Sequence, residues 1–573
     1  MTSRPAGSRW RFGTPAWLCA CVAAAALGAG PAAAPGWRPS PATSAGLLGW
    51  RWWPVRGSTA SARRAGRTSA RGPCAAIPAA SEVGGQHAAF DWLAQWYPVA
   101  WERDLPIDAP TKVTLFDTDY VVVRRSTGEA PLCLEDRCPH RLAALSEGRL
   151  TADGDIQCAY HGWVFDGRTG NCTHVPQLQG SAVGGRACVS AFPATVSQGL
   201  VWIHPGGAAA AEAAGPPPRQ PEMDKPGFKV TPAVRDFPID WPILMENIMD
   251  PDHGLFAHQA SAFDLYSASR ERPQEVRETV AGGTFAFTAA VDAVPKLGRQ
   301  AATATDAAPL RATTTYTAPS HIHMARRDAK GETRFATAFW ITPVGVGRSR
   351  FLSAAVGRTP FSIPRWLIHL NLLKFLDQDT YLLATQQKHL LAAEACAYEA
   401  GNATARRSAY VFRSPSEGLL LRLSRFFDES LRWVPNRARV LEAMGGAAIA
   451  FAATPSREFV LDRYSQHTAI CPDSRGLVRN CQAISAAGAI GGAVALCLAT
   501  ARALQAGSFR AAVGASMLHI LAAAAAATAA LAARSIAAEF RFAHGTKRRD
   551  RDLRRIPAIY PDALVGRRAR RPV

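Results

Sequence analysis

Short strand-like runs fill the middle of this chain, and long apolar runs dominate its end. Thr111–Phe116 and Asp119–Arg124 alternate or run with β-branched residues, and Val201–His204 closes the series. We expect strands there, within a small antiparallel β domain over residues 90–205. Thr284–Ala290, Thr313–Thr317 and Phe339–Val344 repeat the pattern and predict a second antiparallel sheet. Trp366–Gln386 switches to helical periodicity. Between the two strand series, residues 206–227 are rich in Ala, Gly and Pro and read as a linker or surface loop. The class is therefore α+β, with a second domain over residues 228–470. Cys481–Ala501 and Ala511–Ala533 are uncharged, and each reaches the about twenty residues that cross a bilayer. Both are alanine-heavy, so a soluble helical hairpin stands as the alternative to two transmembrane helices over 481–533.

Charge sharpens the picture of the two ends. The net charge is +20 over 573 residues. Residues 1–80 carry ten arginines and no acid, and residues 541–573 carry eleven basic and three acidic residues. The middle is thus nearly neutral, and the basic balance does not point to nucleic acid. An apolar run, Pro15–Gly28, follows Arg4, Arg9 and Arg11, and an Arg-, Ser-, Thr- and Ala-rich stretch follows from Arg51 to Arg71. We read residues 1–80 as a plastid targeting presequence, bipartite if the apolar run acts as a signal and single otherwise. Residues 534–573 read as a basic tail. The twelve cysteines lack the dense even spacing of a secreted disulfide scaffold, which favours a reducing compartment.

Two stretches carry chemistry. Cys138-Pro-His140 and Cys158-Ala-Tyr-His161 each offer one thiolate and one imidazole. Two of each suit a [2Fe–2S] cluster held by thiolates on one iron and imidazoles on the other. Tetrahedral zinc takes the same donors. The flanks, Arg141 and Gly162-Trp163, favour the cluster. Further on, His253 and His258 stand five residues apart within Glu246–His258. A non-haem Fe(II) site needs two histidines and one carboxylate on one face. A slightly distorted helix brings such a pair together. Alone the pair is weak, and its position about a hundred residues after the cysteine–histidine pairs strengthens it.

The run Cys138–Arg149 with Gln157–Trp163 resembles the Rieske non-haem iron oxygenases, above all the plastid branch with pheophorbide a oxygenase and the inner-envelope translocon Rieske protein. Respiratory Rieske proteins carry two further cysteines, at places matching Ala143 and Tyr160 here. The resemblance implies a Rieske β domain, then a helix-grip catalytic domain with a mononuclear Fe(II), then a transmembrane helical hairpin. It implies Asp379 as the third iron ligand, with Asp377 as the alternative. It implies that Asp250 bridges His253 to His140 or His161 of a neighbouring subunit in a homotrimer, and that Asn247 lies near the iron or substrate. Ferredoxin as electron donor, O2, a hydrophobic tetrapyrrole and a plastid membrane, envelope or thylakoid, follow as partners, with the catalytic domains facing the stroma. Phe263, Tyr266 and Trp340 are candidates for the pocket wall, with core packing as the default for each. The branch carries a Cys-x-x-Cys where this chain has Cys471 and Ser474, so Cys471 is a possible redox thiol only if Cys481 replaces the missing partner. Three functions compete: oxygenation of pheophorbide a, side-chain oxygenation of chlorophyllide or protochlorophyllide, and redox sensing or electron transfer in a plastid envelope complex.

Overall fold

The computed structural model describes residues 87–126, 129–178, 185–250, 253, 257–258, 275–281, 284–292, 311–358, 363–402, 404–414 and 417–542. The expected presequence, Phe263, Tyr266 and most of the expected basic tail lie outside them. The described residues form two units, one of residues 87–479 and 534–542, the other of residues 480–533.

The first unit opens with ten short strands: β1 (Tyr97–Trp101), β2 (Pro110–Leu115), β3 (Thr118–Val123), β4 (Leu132–Glu135), β5 (Arg149–Leu150), β6 (Ile156–Gln157), β7 (Val164–Phe165), β8 (Cys172–His174), β9 (Ala194–Ser197) and β10 (Leu200–Ile203). They pair antiparallel in three sheets, ordered β1-β10-β9, β2-β3-β4 and β5-β6-β7-β8. The β2–β3 hairpin turns on Phe116 and Asp117, both at positive φ. Such a turn matches the twist of its flanking strands, but it favours Asn, Asp and Gly. Its cost for Phe116 is offset by anchoring: Phe116 and Asp117 donate N–H bonds of 2.8 and 2.9 Å to Pro343 and Val344. The Asp117 carboxylate in turn accepts from Val346 N–H and Arg348 at 3.0 and 2.6 Å. The hairpin is thereby tied to the larger sheet that follows.

Residues 206–227, expected as a linker, hold a helix over Gly207–Ala214 and a 3₁₀ turn over Pro221–Asp224. Alanine has the best intrinsic helix propensity, and Ala211 is buried. A Trp96 Nε1–H bond of 2.7 Å to Gly215 O fixes the helix end.

Seven antiparallel strands then build one sheet: β11 (Lys229–Phe237), β12 (Glu275–Ala281), β13 (Thr284–Asp292), β14 (Arg311–Thr317), β15 (His321–Arg327), β16 (Thr333–Gly345) and β17 (Arg348–Gly357). Their order is β11-β17-β16-β15-β14-β13-β12. Side chains alternate between faces along a strand. On β16 and β17, Ala336, Ala338, Trp340, Leu352, Ala354 and Val356 pack with Trp101 and Trp202. The odd-numbered Phe335, Thr337, Phe339, Phe351, Ser353 and Ala355 face a cavity instead. The helix Trp241–Met249 and the long helix Arg365–Glu399 line the other side of that cavity. Trp340 is thus a core residue on the far face of the sheet, and its neighbour Phe339 takes the pocket position.

His321 on β15 is buried against the Trp340 ring, with centroids 5.3 Å apart. Burial first, then His323, pushes its pKa down to about 3. An unfolded histidine titrates near about 6.5. The folded state therefore binds fewer protons, and stability is lost as pH falls from about 6.5 toward 3, by up to about 1.4 kcal/mol per pH unit. We expect the thermal midpoint to drop between pH 7 and pH 5, and H321Q to flatten that slope. An unchanged slope would place the acid sensitivity elsewhere.

The second unit pairs parts of two helices, Pro472–Gln505 and Phe509–Glu539, each long and apolar enough to cross a membrane. Gly488 and Gly492 face Ala523, Ala526 and Ala530, so the backbones approach closely. Small residues four apart are a packing device of membrane helices. The large apolar side chains point outward: Ile490, Val494, Leu518, Leu521 and Leu531 are all exposed. This inverts the arrangement of a soluble helical pair.

Candidate metal centres

Two loops of matching geometry present the cysteine–histidine pairs. In one, between β4 and β5, Cys138 N–H donates to Ala143 O and Leu142 N–H to Cys138 O, both at 2.8 Å. In the other, between β6 and β7, Cys158 N–H donates to Trp163 O at 2.8 Å and Gly162 N–H to Cys158 O at 3.0 Å. Both loops close through a left-handed residue, Leu142 at φ 62° and Gly162 at φ 76°. The second position favours glycine, for its left-handed backbone and because a Cβ there would lie 3.1 Å from Pro176 Cγ.

The loops bury both cysteines and bring the His140 and His161 rings to 4.5 Å between centroids. Trp163 stacks on His140 at 4.7 Å with 6° between planes. His140 Nδ1 is buried with no hydrogen-bond partner in the protein. Such an orphan costs free energy unless something else satisfies it. A metal bond does so, and the two-thiol, two-imidazole donor set fits a [2Fe–2S] group. In the bare protein, burial first pushes the Cys138 thiol up to about 11, with Cys158 adding to the rise. Desolvation, then His140 and Arg141, hold His161 below its usual value.

The second centre lies where the helix Trp241–Met249 ends. Pro242 sits in its first turn, where a missing N–H costs nothing. Asp240, just before it, pairs with buried Arg437 at 2.6 and 3.1 Å. The helix ends at Met249, and Asp250, which a proline follows in the sequence, is extended, at φ −79° and ψ 112°. Beyond that end, His253 is again helical, with Ala257 N–H donating to His253 O at 2.7 Å, and His258 follows that turn.

They converge all the same. His253 Nε2 and His258 Nε2 are 3.3 Å apart. Asp379 Oδ2 lies 3.3 Å from His258 Nε2 and 3.8 Å from His253 Nε2. These three side chains place one ligand atom each within 4.8 Å of the others. The His253 Nδ1–H donates to Asp250 O at 2.7 Å, and His253 N–H donates to an Asp250 carboxylate oxygen at 3.3 Å. The first bond leaves the Nε2 lone pair facing His258 and Asp379. Phe375 stacks on the His258 ring at 3.8 Å and 7°. Burial lowers the His253 pKa, against the opposing pull of Asp379 and Asp250. Two imidazoles and a carboxylate on one side fit a facial Fe(II) triad.

Asp377 is elsewhere. Its carboxylate oxygens each lie 2.7 Å from a buried guanidinium, Arg235 on one side and Arg463 on the other. The Arg235 contact is an ion pair at too poor an angle for a hydrogen bond.

A cavity of about 970 Å³, its open mouth included, adjoins Asp379. Asn247, Leu244, Met324, Phe335, Phe339 and Phe375 are among its walls. The long helix supplies a stripe at helical spacing: Ile368, Leu372, Phe375, Leu376, Asp379 and Thr380. The aromatic positions of β16 were missed in the sequence reading. Their period-two alternation is the signal that marks them, but it does not say which face holds the site. Cys471 is fully buried, with its Sγ 3.6 Å from His369 Nδ1.

Comparison with known proteins agrees with this layout. Residues 95–193 match the Rieske [2Fe-2S] domain, and residues 316–395 match the pheophorbide a oxygenase family. Protein TIC 55, chloroplastic, of Arabidopsis thaliana is 34% identical over 321 residues, covering 53% of this chain and 55% of that protein. The chain thus spans about half the length of that relative. Pheophorbide a oxygenase, chloroplastic, of Oryza sativa subsp. japonica is 29% identical over 421 residues, 68% of this chain and 73% of its own. Flavonoid 8-hydroxylase 2, chloroplastic, of Ocimum basilicum is 28% identical over 403 residues, 67% and 73%. The chain therefore carries a Rieske [2Fe-2S] domain followed by a segment that matches the pheophorbide a oxygenase family.

Proposed function

We propose that this chain is a plastid oxygenase that inserts oxygen from O2 into a hydrophobic tetrapyrrole, pheophorbide a or a related pigment, with electrons from ferredoxin. The observation that carries the reading is the junction of the His253, His258 and Asp379 group with an open, apolar cavity. A flat apolar macrocycle suits its aromatic walls. Chloroplastic relatives support the plastid assignment.

An iron(II) held by His253, His258 and Asp379 supplies O2 activation when bound, and a [2Fe–2S] group held by Cys138, His140, Cys158 and His161 supplies single electrons. The protein's own part is positional. Asp250 O accepts a hydrogen bond from His253 Nδ1–H and so orients the imidazole. Phe375 clamps His258 by stacking. Asn247 offers an amide to a polar edge of the substrate, and the apolar wall excludes water from the reacting face. In a homotrimer, Asp250 would bridge His253 to a Rieske histidine of the neighbouring subunit. The two apolar helices would anchor the chain in an envelope or thylakoid membrane, close to a substrate that partitions into lipid. Arginines beyond the second helix favour the stromal side for the catalytic domains.

The test is turnover. The purified chain is incubated with reduced ferredoxin, O2 and one substrate at a time: pheophorbide a, chlorophyllide, protochlorophyllide or a flavone. Products are identified by mass. We expect an oxygenated pheophorbide a. Oxygenation of only chlorophyllide or protochlorophyllide would establish the side-chain reading. Turnover of the flavone alone would move the substrate class. No turnover with both iron centres filled would favour an electron-transfer subunit.

A further inference from the structure

A third group of donors lies away from both iron centres. We propose that His369 Nδ1, His467 Nε2, Cys471 Sγ and Ser474 Oγ form a closed structural zinc site. All four side chains are at most 1% exposed. Cys471 Sγ is 3.6 Å from His369 Nδ1, and Ser474 Oγ is 3.3 Å from His369 Nδ1 and 2.9 Å from His467 Nε2. Zinc bonds of about 2.0 Å to nitrogen or oxygen and about 2.3 Å to sulfur give tetrahedral edges of about 3.5 Å for N···S and about 3.3 Å for N···O. The donors already stand near that spacing.

The tautomers are set for it. His369 Nε2 lies 2.9 Å from Pro232 O, and His467 Nδ1 lies 2.6 Å from Val234 O. A carbonyl only accepts, so each of those nitrogens carries its ring proton. The other nitrogen of each ring therefore turns a lone pair toward Cys471 and Ser474. A ring N–H bonded to a backbone carbonyl is the usual support of a metal-binding histidine. The fold explains why these carbonyls are available. β11 is the edge strand of the seven-stranded sheet, and Pro232 and Val234 are alternate residues on it. Their carbonyls lie on one edge and take the two imidazoles.

Burial keeps both rings neutral, with His369 pushed down to about 2 and His467 to about 4. The cations that act on the two rings are themselves paired: Arg365 with Asp104 at 2.9 Å and Asp473 at 3.2 Å, Arg103 with Asp473 at 3.3 Å, and Arg235 and Arg463 with Asp377, each at 2.7 Å. On binding, zinc displaces the thiol proton of Cys471, and Ser474 keeps its own. His369 stands ten residues before Asp379, about 15 Å along the same helix. The ion would pin that helix to the edge strand and to the turn entering Pro472–Gln505.

The competing arrangement is a closed hydrogen-bond network, with Ser474 O–H donating to His467 and Cys471 S–H to His369. Metal analysis of the full-length holoprotein separates the two. We expect about one zinc per chain in addition to iron, falling at least tenfold in C471A and in H467A while cluster absorption stays. Growth on cobalt should give a thiolate-to-cobalt charge-transfer band that C471A lacks. S474C, which adds a thiolate and should fold, is expected to hold zinc at least tenfold more tightly against a chelator. Wild-type protein with full iron, no zinc and no cobalt band would overturn the site. Zinc retained unchanged in C471A and H467A would do the same.

Discussion

Replacing Asp379 with alanine is expected to cut oxygenase turnover by more than about a hundredfold and to lower iron from about three atoms per chain to about two, with the cluster spectrum unchanged. Loss of a residue that merely orients a ligand costs roughly 10–100-fold in metal affinity or activity, and loss of a ligand costs more. Asp379 Oδ2 is the atom nearest both histidines, 3.3 Å from His258 Nε2 and 3.8 Å from His253 Nε2. Without it, two imidazoles and no anionic side chain of the group remain to hold a dication. H253A is expected to behave alike. Iron quantification with single-turnover assays checks both. Full turnover in D379A would remove this carboxylate from the reaction.

How far the sequence leads depends on how local each feature is. The cysteine–histidine loops are legible because every donor lies within residues 138–161 and the closing residues, Leu142 and Gly162, are in the motif itself. The strands β2, β3 and β10 are legible from β-branched runs, within one residue at either end. Trp340 is different. Its alternation with Phe339 is plain, but which face meets the iron helices is set by packing across the sheet. The end of the helix at Asp250 is written in the sequence, in the proline that follows it at 251. The linker reading of 206–227 failed because alanine and glycine occur together there, and the alanines won over 207–214. The zinc-type group was illegible: His369 and His467 are 98 residues apart and meet only across the edge of β11.

Asp377 and Asp379 pose the sharpest register question, and it has a geometric answer. Residues two apart on a helix point about 200° apart. Asp379 faces the cavity with Leu372, Phe375 and Leu376. Asp377 points the other way, between Arg235 and Arg463, which are 1% and 3% exposed. Those cations come from β11 and from beyond residue 460, so no local pattern announces the triad. Removing one partner of a buried ion pair costs about 3–5 kcal/mol, because the charge left behind is uncompensated. D377A leaves two guanidiniums with less support. Arg235 keeps Gln466 at 2.9 Å and the Phe237 ring at 4.7 Å, and Arg463 keeps Glu539 at 3.1 Å. We therefore expect D377A to lie at the lower end, about 3 kcal/mol, with a thermal midpoint roughly 5–10 °C lower. Below that midpoint its iron content and turnover should be those of the parent. D379A should show the reverse, near-parental stability with the mononuclear iron gone. Calorimetry and iron analysis on the two variants side by side decide it: a folded D377A that has lost its third iron would make Asp377 the ligand.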